Sequence, residues 1–461
     1  MNNNKEGFKL ILLGCLIIGA IIQTGNLWLG SVSSHTFLKQ ATTYEPIMPI
    51  NIWLVETSNN NTGVSNAMAY RLEDTIGNEK REYERLTDEL SRMISQYSSN
   101  EKLAKIEGVD WTRLLSMPSI IYEYEVPIDI EAITGEKGHT SVKDTIDHVI
   151  LYSKNKFQKE ATLFLVNSQE DFMYEFSVTG TFKDIGKIYN TISSNELKEH
   201  IMAYQPSATV DKMQVKGNIF LPTSSKETLV SYDVLTSYNP IDLSTDEGYT
   251  LLENAINGLF ESPLVKEKQE HEDGSVVYTE NMKSLVMYRP VGVVEYLNLS
   301  PAQTQNRISV LDGYNTVLEF MEKIDTIPES IRSHLYVSRI DQKDNEMTFY
   351  FEMTYDGYRV QLSESIRADL GIDALVEVTV KGNDIISATI STLEIEPKSM
   401  HRKDLETHYL EPIDKMYSLL QEQNIEDFTI DNLELVYLLD DLETDIDMTW
   451  GAIYDNRWYY P

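Results

Sequence analysis

Cysteine is almost absent from this chain of 461 residues, which has only Cys15, so no disulfide can form within the chain. Cys15 lies in an apolar N-terminal run, and the remaining residues must therefore be stabilised by burial of side chains. The lack of cysteine does not identify a reducing compartment. An exported bacterial protein that never relied on disulfides has the same composition.

Basic residues are scarce relative to acidic ones, with 39 Lys and Arg against 73 Asp and Glu, and the formal net charge is −34. Phosphate backbones repel such a chain, so we expect no nucleic-acid partner. Aromatic residues are plentiful, with 27 Tyr, 13 Phe and 5 Trp. This composition is typical of packed globular domains and excludes a disordered acidic tail.

The sequence contains no Gly-rich phosphate loop, no Gly-x-Ser-x-Gly elbow and no His-Glu-x-x-His pattern. We therefore predict no catalytic residue, no cofactor and no metal ligand. His401 and His408 flank Asp404 and Glu406, but their spacing matches no standard metal site and favours a polar linker.

A dense acidic run extends from Asp440 to Asp447. Calcium binding outside the cell is one interpretation of it, although the run lacks the spacing and the central glycine of an EF-hand loop. Alternation of residue types instead places Asp445 and Asp447 on the solvent face of a strand.

The N-terminal segment predicts a transmembrane helix. Its apolar centre, Leu10 to Ile22, is short for a bilayer, but the uncharged residues Gln23 to Leu29 extend it to a sufficient length. Lys5 and Lys9 precede the run, so the positive-inside rule places the N-terminus in the cytoplasm and the body outside. Trp28 then lies in the outer interfacial belt.

Two alternatives for this segment stay open. In the first, a signal peptide is cleaved within the small residues Gly30 to Ser34. In the second, Cys15 is the lipid-modified residue of a lipoprotein, because Leu12 to Cys15 resembles a lipobox. The hydrophobic run continues past Cys15, where a lipoprotein becomes polar, and this favours the uncleaved membrane helix.

Small and polar residues fall on one face of that predicted helix, at spacings of four, four and three: Cys15, Gly19, Gln23 and Asn26. Transmembrane helices use such stripes for close backbone approach and interhelical hydrogen bonds. We predict that these four residues contact a partner helix. The alternative is that Gln23 and Asn26 only reach the outer headgroups.

The body is predicted to belong to the α+β class, as a multi-domain ectodomain of antiparallel sheets with packed helices. We place the anchor at 1–30, a connector at 31–45, and an N-terminal α+β domain at 46–205. A central α+β domain follows at 206–305, and a C-terminal one at 306–461.

A helix followed by strands recurs in the C-terminal part of the chain. The first unit is predicted to begin at a capping box of Ser244 and Glu247. The second has a helix from Val310 to Ile324 and an alternating strand from Met347 to Tyr355. The third has Pro412 near the first position of its helix.

The order of these features resembles the YycH family. The residues that carry the resemblance are Asn26-Leu27-Trp28 at the end of the anchor, the strand Ser119 to Ile128, and the central stretch Leu259 to Asn298 with its Asp-Gly hairpin. Leu433 to Tyr437 and the late Trp450 also look like the companion family YycI.

This resemblance implies a non-enzymatic protein of a Gram-positive cell membrane. Its ectodomain would be extracytoplasmic, and it would regulate a WalK-like sensor histidine kinase of a two-component system. It also implies a YycI-like partner, contacts through transmembrane helices, and a role in cell-wall homeostasis. The alternatives from other functional classes are an extracytoplasmic module that binds cell-wall polymer and a wall hydrolase.

Overall fold

Antiparallel strands dominate the body of the chain. The computed structural model describes residues 44–59, 65–72, 78–98, 103–138, 141–154, 157, 159–179, 182–192, 199–202, 213–215, 220–222, 229–301, 307–406, 410–425, 428–455 and 457–461. Glu45–Pro461 forms one compact unit. The helices are Asn78–Ser98, Trp111–Leu115, Ile130–Thr134, Lys183–Ile192, Asp246–Asn257, Val310–Lys323, Glu329–Arg332, Glu364–Leu370 and Leu410–Glu422, with a 3-10 turn at Pro263–Val265.

The strands fall into two large sheets and two small ribbons. In chain order they are β1 (Asn51–Asn59), β2 (Ser65–Leu72), β3 (Lys105–Glu107), β4 (Ser119–Ile128), β5 (Ile146–Tyr152), β6 (Glu160–Asn167), β7 (Phe172–Thr179), β8 (Glu199–Met202), β9 (Met213–Val215), β10 (Phe220–Pro222), β11 (Leu229–Tyr238), β12 (Glu267–Glu270), β13 (Val276–Glu280), β14 (Ser284–Arg289), β15 (Val293–Asn298), β16 (Leu335–Lys343), β17 (Glu346–Tyr355), β18 (Tyr358–Leu362), β19 (Val376–Lys381), β20 (Asp384–Ser391), β21 (Glu394–Glu406), β22 (Phe428–Ile430), β23 (Asn432–Leu439), β24 (Asp447–Tyr454) and β25 (Arg457–Tyr459).

The first sheet has nine strands in the order β10-β8-β2-β1-β4-β5-β6-β7-β3, and all neighbours are antiparallel. Its central strands are nearly continuous apolar runs because both faces are covered. One face packs on the helix Asn78–Ser98 through Leu86 and Leu90. The other face packs on the short helix Trp111–Leu115.

The second sheet has twelve strands in the order β12-β13-β14-β15-β20-β19-β17-β18-β23-β24-β25, with β16 on the free side of β17. Its neighbours are antiparallel except β18 and β23, which run parallel with Val360 opposite Tyr437. Strands that precede the predicted boundary at residues 305 and 306, and strands that follow it, belong to this one sheet. Likewise β10, which follows residue 205, lies in the first sheet. The predicted domain boundaries themselves stay predictions.

The predicted helix-then-strands order holds in all three C-terminal units. In the helix Leu410–Glu422, Ile413, Met416 and Leu420 lie three and four positions apart, which predicts one inner face, and all three are inaccessible to solvent. The predicted cap of the first unit was wrong by one residue. Thr245, and not Ser244, is the N-cap, and its side chain accepts a hydrogen bond from the Gly248 amide at 3.0 Å.

Two N-terminal elements begin later in the chain than their patterns indicate. The apolar run from Ile47 to Val55 predicts a strand, and the strand itself is Asn51–Asn59. Leu72 shares the helical spacing of Tyr83, Leu86 and Leu90, but it pairs with Ile52 in the first sheet and the helix is Asn78–Ser98.

β17 differs from the predicted half-buried strand. Met347, Phe349 and Met353 are buried as the alternation indicates, but Tyr350 and Glu352 on the other face are buried as well. Both faces of β17 are therefore covered. Glu352 is accommodated because its Oε1 accepts a hydrogen bond from Arg367 Nη2 at 2.7 Å.

The packing of the first helix-then-strands unit can be tested by substituting Gly248. A Cβ atom at this position would overlap the backbone of Asp242, so Gly248→Ala must displace the loop that leads into the helix. We expect a loss of about 1–3 kcal/mol in unfolding free energy, measured by urea denaturation. Asn254→Ala, on the exposed side of the same helix, is the control and should change stability little. Equal effects of the two substitutions would contradict this packing.

Candidate functional site between the two sheets

The four residues predicted to contact a partner helix, Cys15, Gly19, Gln23 and Asn26, lie outside the described residues. The predicted membrane span lies outside them too. Among the helices that the structure describes, none is long and apolar enough to cross a membrane. The anchor and its contact stripe therefore stay predictions.

The acidic run of the C-terminal unit makes ion pairs in the structure. Lys398 Nζ lies 2.7 Å from Asp445 Oδ1, and Lys403 Nζ lies 2.7 Å from Asp447 Oδ2. His401, on the same strand as both lysines, is exposed. Within the described part of the chain, no three His, Cys, Asp or Glu side chains gather as metal ligands would. His408 is not among the described residues.

A buried arginine joins the two large sheets. Arg359 lies on β18 of the second sheet and is 4% exposed. Its Nη2 donates to Glu125 on β4 of the first sheet, and its Nη1 donates to Glu434 on the neighbouring β23. Removing a guanidinium from water costs free energy, and the two carboxylates offset that cost here. The three side chains therefore fix the position of β18 against β4.

Burial also changes the proton affinity of these carboxyl groups. It raises the pKa of Glu125, and the charge of Arg359 opposes that rise only in part. Burial similarly raises the pKa of Glu352, and Arg367 offsets part of the increase. The Glu352 side chain is 6% exposed and the Glu125 side chain 23% exposed, so both are largely removed from water.

A second arginine, Arg71 on β2, lies on the same face of the first sheet as Glu123. It is 6% exposed. Its guanidinium carbon stands 4.2 Å from the ring centre of Tyr358, which precedes Arg359 on β18. Its buried Nε and Nη2 atoms have no hydrogen-bond partner among the described residues. Arg71 is therefore a buried cation with unused donors.

The polar side chains beside Arg71 are held in fixed positions. Glu123 Oε2 accepts hydrogen bonds from Asn51 Nδ2 at 3.0 Å and from Trp53 Nε1 at 2.8 Å. The Trp53 ring stacks on Phe220 with centroids 4.3 Å apart. These contacts orient a carboxylate and an aromatic wall next to the arginine.

Asp147 and His148 form a buried pair on β5, with 2.8 Å between Asp147 Oδ1 and His148 Nδ1. Burial favours a lower pKa for His148, but the charge and hydrogen bond of Asp147 outweigh it and the pKa is raised. For Asp147, burial acts to raise the pKa, but His148 and two hydrogen bonds from Ser168 bring it below its usual value. Both shifts favour the charged forms of the two side chains.

These groups line one cavity of about 560 Å³ between the sheets. The volume is within the range that binds small molecules. The first sheet contributes Arg71, Glu123 and His148, and the second contributes Arg359 and Asp431. Sequence reasoning missed the cavity, because its walls come from residues hundreds of positions apart. No local signal marks it, since the strands of Arg71 and Arg359 contain other polar residues such as Asn66 and Gln361.

A separate apolar patch lies on the central unit. It consists of Leu264, Met282, Leu297 and Leu299, of which Leu264 is fully exposed and Met282 is 79% exposed. The loops that carry these residues are tied together. The Leu299 amide donates to the Lys283 carbonyl at 2.7 Å, and Lys283 Nζ lies 2.5 Å from Glu261 Oε2. Exposed apolar clusters of this kind mark contact surfaces.

Replacing Arg359 with methionine should lower the unfolding free energy by about 3–5 kcal/mol, because Glu125 and Glu434 lose their buried partner. The control is Arg402→Met, which removes an exposed pair with Asp233 and should cost less than about 1 kcal/mol. Urea denaturation at neutral pH measures both losses. Similar values for the two variants would show that Arg359 does not join the sheets.

The loss in Arg359→Met should shrink as the pH falls from about 7 to about 5. Without the arginine, the pKa of Glu125 rises further, so the folded variant binds a proton that the unfolded chain does not yet bind. Its unfolding free energy then increases relative to the parent as the solution becomes more acidic. Denaturation at both pH values tests this, and a constant deficit would count against it.

The comparisons with known proteins concern the fold. No family model matches the chain, and no curated protein matches its sequence. A crystal structure of an uncharacterized protein from Eubacterium rectale has a TM-score of 0.35 at 12% identity over 53% of this chain and 82% of its own, which carries no argument. The crystal structure of YycH from Bacillus subtilis has a TM-score of 0.56 at 13% identity, over 91% of this chain and 97% of its own. The chain therefore has a YycH-like fold, as its sequence resemblance predicted, while the likeness to YycI stays a prediction.

Proposed function

We propose that this protein is a non-enzymatic, membrane-anchored regulator of a WalK-like sensor histidine kinase. The observation that carries the proposal is the YycH-like fold, which extends over 91% of the chain and includes both large sheets. In this proposal the N-terminal helix holds the protein in the cell membrane, and the body stands outside the cytoplasm, where the kinase and a YycI-like protein contact it.

The anchor contributes contacts inside the membrane. The stripe of Cys15, Gly19, Gln23 and Asn26 lets a kinase helix approach closely and form hydrogen bonds with it. Regulation then arises because the stripe packs better against one arrangement of the kinase helices than against the other. A difference of a few kcal/mol between those states is enough to shift their populations.

The body contributes a second contact through the apolar patch. Leu264 and Met282 extend into solvent from loops that are tied to each other, so their burial against a partner costs little reordering. The strand next to the patch, β12, is exposed, and its Glu270 is paired with Lys268 at 2.8 Å. The complementary partner surface is apolar. A second copy of this chain, with a net charge of −34, is a poor match.

A non-enzymatic role is supported by how three of the six carboxylates that line the cavity are used. Glu125 and Glu434 both compensate Arg359, and Asp147 accepts hydrogen bonds from Ser168 beside His148. Carboxylates that are held in such structural contacts are poor candidates for the acid and base of a wall hydrolase.

Gly19→Leu in the anchor should reduce the amount of kinase that co-purifies from native membranes, because leucine prevents close helix approach. Gly14→Leu is the matched control, since residue 14 lies three or four positions from none of the stripe residues and should leave co-purification unchanged. Quantitative immunoblotting of the detergent-solubilised complex provides the measurement. If Gly19→Leu recovers as much kinase as the parent, contact through the stripe is disproved.

Charging the apolar patch should weaken the extracytoplasmic contact. In the double variant Leu264→Glu and Met282→Glu, two carboxylates must be desolvated wherever a partner covers the patch. We expect reduced recovery of the kinase or of the YycI-like protein from membranes. Val291→Glu, at the exposed turn on the far end of the β14–β15 hairpin, is the control. Unchanged recovery with the double variant would remove the patch from the interface.

A further inference from the structure

A buried histidine with two acidic neighbours lies in the first sheet. His148 on β5 is 5% exposed, and its Nδ1 stands 2.8 Å from Asp147 Oδ1 on the same strand. Directly opposite His148, on the neighbouring β4, is Glu123. The Trp111 ring packs edge-on against the imidazole, with ring centroids 5.2 Å apart. The imidazole is therefore enclosed by an aromatic ring and by acidic residues from two adjacent strands.

The other elements around His148 add little positive charge. On β6 the residue opposite it is Val166, which is uncharged. On the short helix that carries Trp111, the guanidinium of Arg113 is paired with Glu175. The remaining charged residues that line the cavity are Arg71, Glu125, Arg359, Asp431, Glu434 and Asp455. Of the two arginines, one is compensated by Glu125 and Glu434, and the other lies three strands away on β2.

Asp147 is the member of the pair that keeps its charge. Ser168 donates to it from its hydroxyl at 2.5 Å and from its amide at 3.0 Å. Burial acts to raise the pKa of Asp147, but His148 and these hydrogen bonds bring it below its usual value. Burial acts to lower the pKa of His148, but Asp147 and then Glu123 raise it above its usual value. The proton that titrates near neutral pH is therefore the one on the imidazole.

We propose that His148 is a proton-dependent latch for this wall of the cavity. While the imidazole is charged, it compensates Asp147 and Glu123, and so holds β5 to β4 and to the turn at Ser168. When the proton leaves, the two carboxylates lose that cation and the wall loosens. His148 itself lines the cavity, so water there gives it access to protons. The latch is independent of the proposed kinase regulation, and only the source of the protons depends on the proposed extracytoplasmic location.

The proton stabilises the fold, because the pKa of His148 is higher in the folded protein than in the unfolded chain. This stabilisation is complete below the pKa of an unfolded histidine, about 6.5, and it is lost as the pH rises through the folded value. The body is thus tighter in mildly acidic solution and looser in mildly alkaline solution.

Histidine titration by NMR tests the latch, on the full-length chain with labelled imidazole carbons in detergent micelles. The chain has eight histidines. The His148 signal is the one missing from His148→Gln or, if that variant does not fold, the one with a nuclear Overhauser contact to the Trp111 ring. We expect His148 to titrate above about 6.5, the value of a model peptide. A midpoint at or below about 6.5 overturns the proposal.

Glu123→Gln removes one of the two carboxylates and should lower the titration midpoint of His148. Glu267→Gln, on the exposed strand β12 of the second sheet, is the control and should leave the midpoint unchanged. A midpoint that Glu123→Gln does not lower would remove Glu123 from the latch.

Stability and hydrogen exchange show whether the titration loosens the wall. The urea midpoint of the parent should exceed that of His148→Gln most at about pH 6, and the difference should shrink steadily to about pH 9. His401→Gln, at an exposed histidine on β21, is the control and should keep a constant offset from the parent. Over the same range the Ser168 amide of the parent should lose protection, after correction for the intrinsic exchange rate. Parallel pH profiles of the parent and His148→Gln, or constant protection at Ser168, would overturn the proposal.

Discussion

The burial of Arg359 is the constraint on which the arrangement of the body depends. A guanidinium that is removed from water must be compensated, and here the two carboxylates come from different sheets. Glu125 brings β4 of the first sheet to β18, and Glu434 brings β23 alongside it. The hydrophobic core extends across both sheets as one cluster, but apolar contacts are non-directional. The ion pairs add a directional constraint, because a shift of one sheet against the other separates Arg359 from one of its carboxylates.

That selected position creates the surfaces on which the functional proposals rest. The cavity exists because polar side chains of the two sheets meet around Arg359 and leave space between them. The loops of the central unit are held on the same twelve-stranded sheet as β18, so the apolar patch is fixed relative to the junction. A body of this kind transmits a contact at one surface as a displacement of the whole, which suits a protein proposed to bias the helices of a kinase.

Much of the fold was predictable, because local periodicity reports which face of an element is buried. The inner face of the helix Leu410–Glu422 and the apolar side of β17 followed directly from the spacing of their residues. The junction was not predictable, since Glu125 and Arg359 are 234 positions apart and neither is unusual in its own strand. The acidic run was ambiguous for a similar reason. Asp445 and Asp447 are neutralised by Lys398 and Lys403, which belong to another strand and leave no mark in the local pattern.

We propose that the body of this protein works in contact with a kinase complex at the membrane. The decisive experiment is photo-crosslinking in native membranes, with a photoreactive amino acid in place of the exposed Met282 and identification of the adducts by mass spectrometry. We expect adducts with a membrane sensor histidine kinase or with a YycI-like protein. Adducts with wall polymer alone, or with none of these proteins, would contradict it.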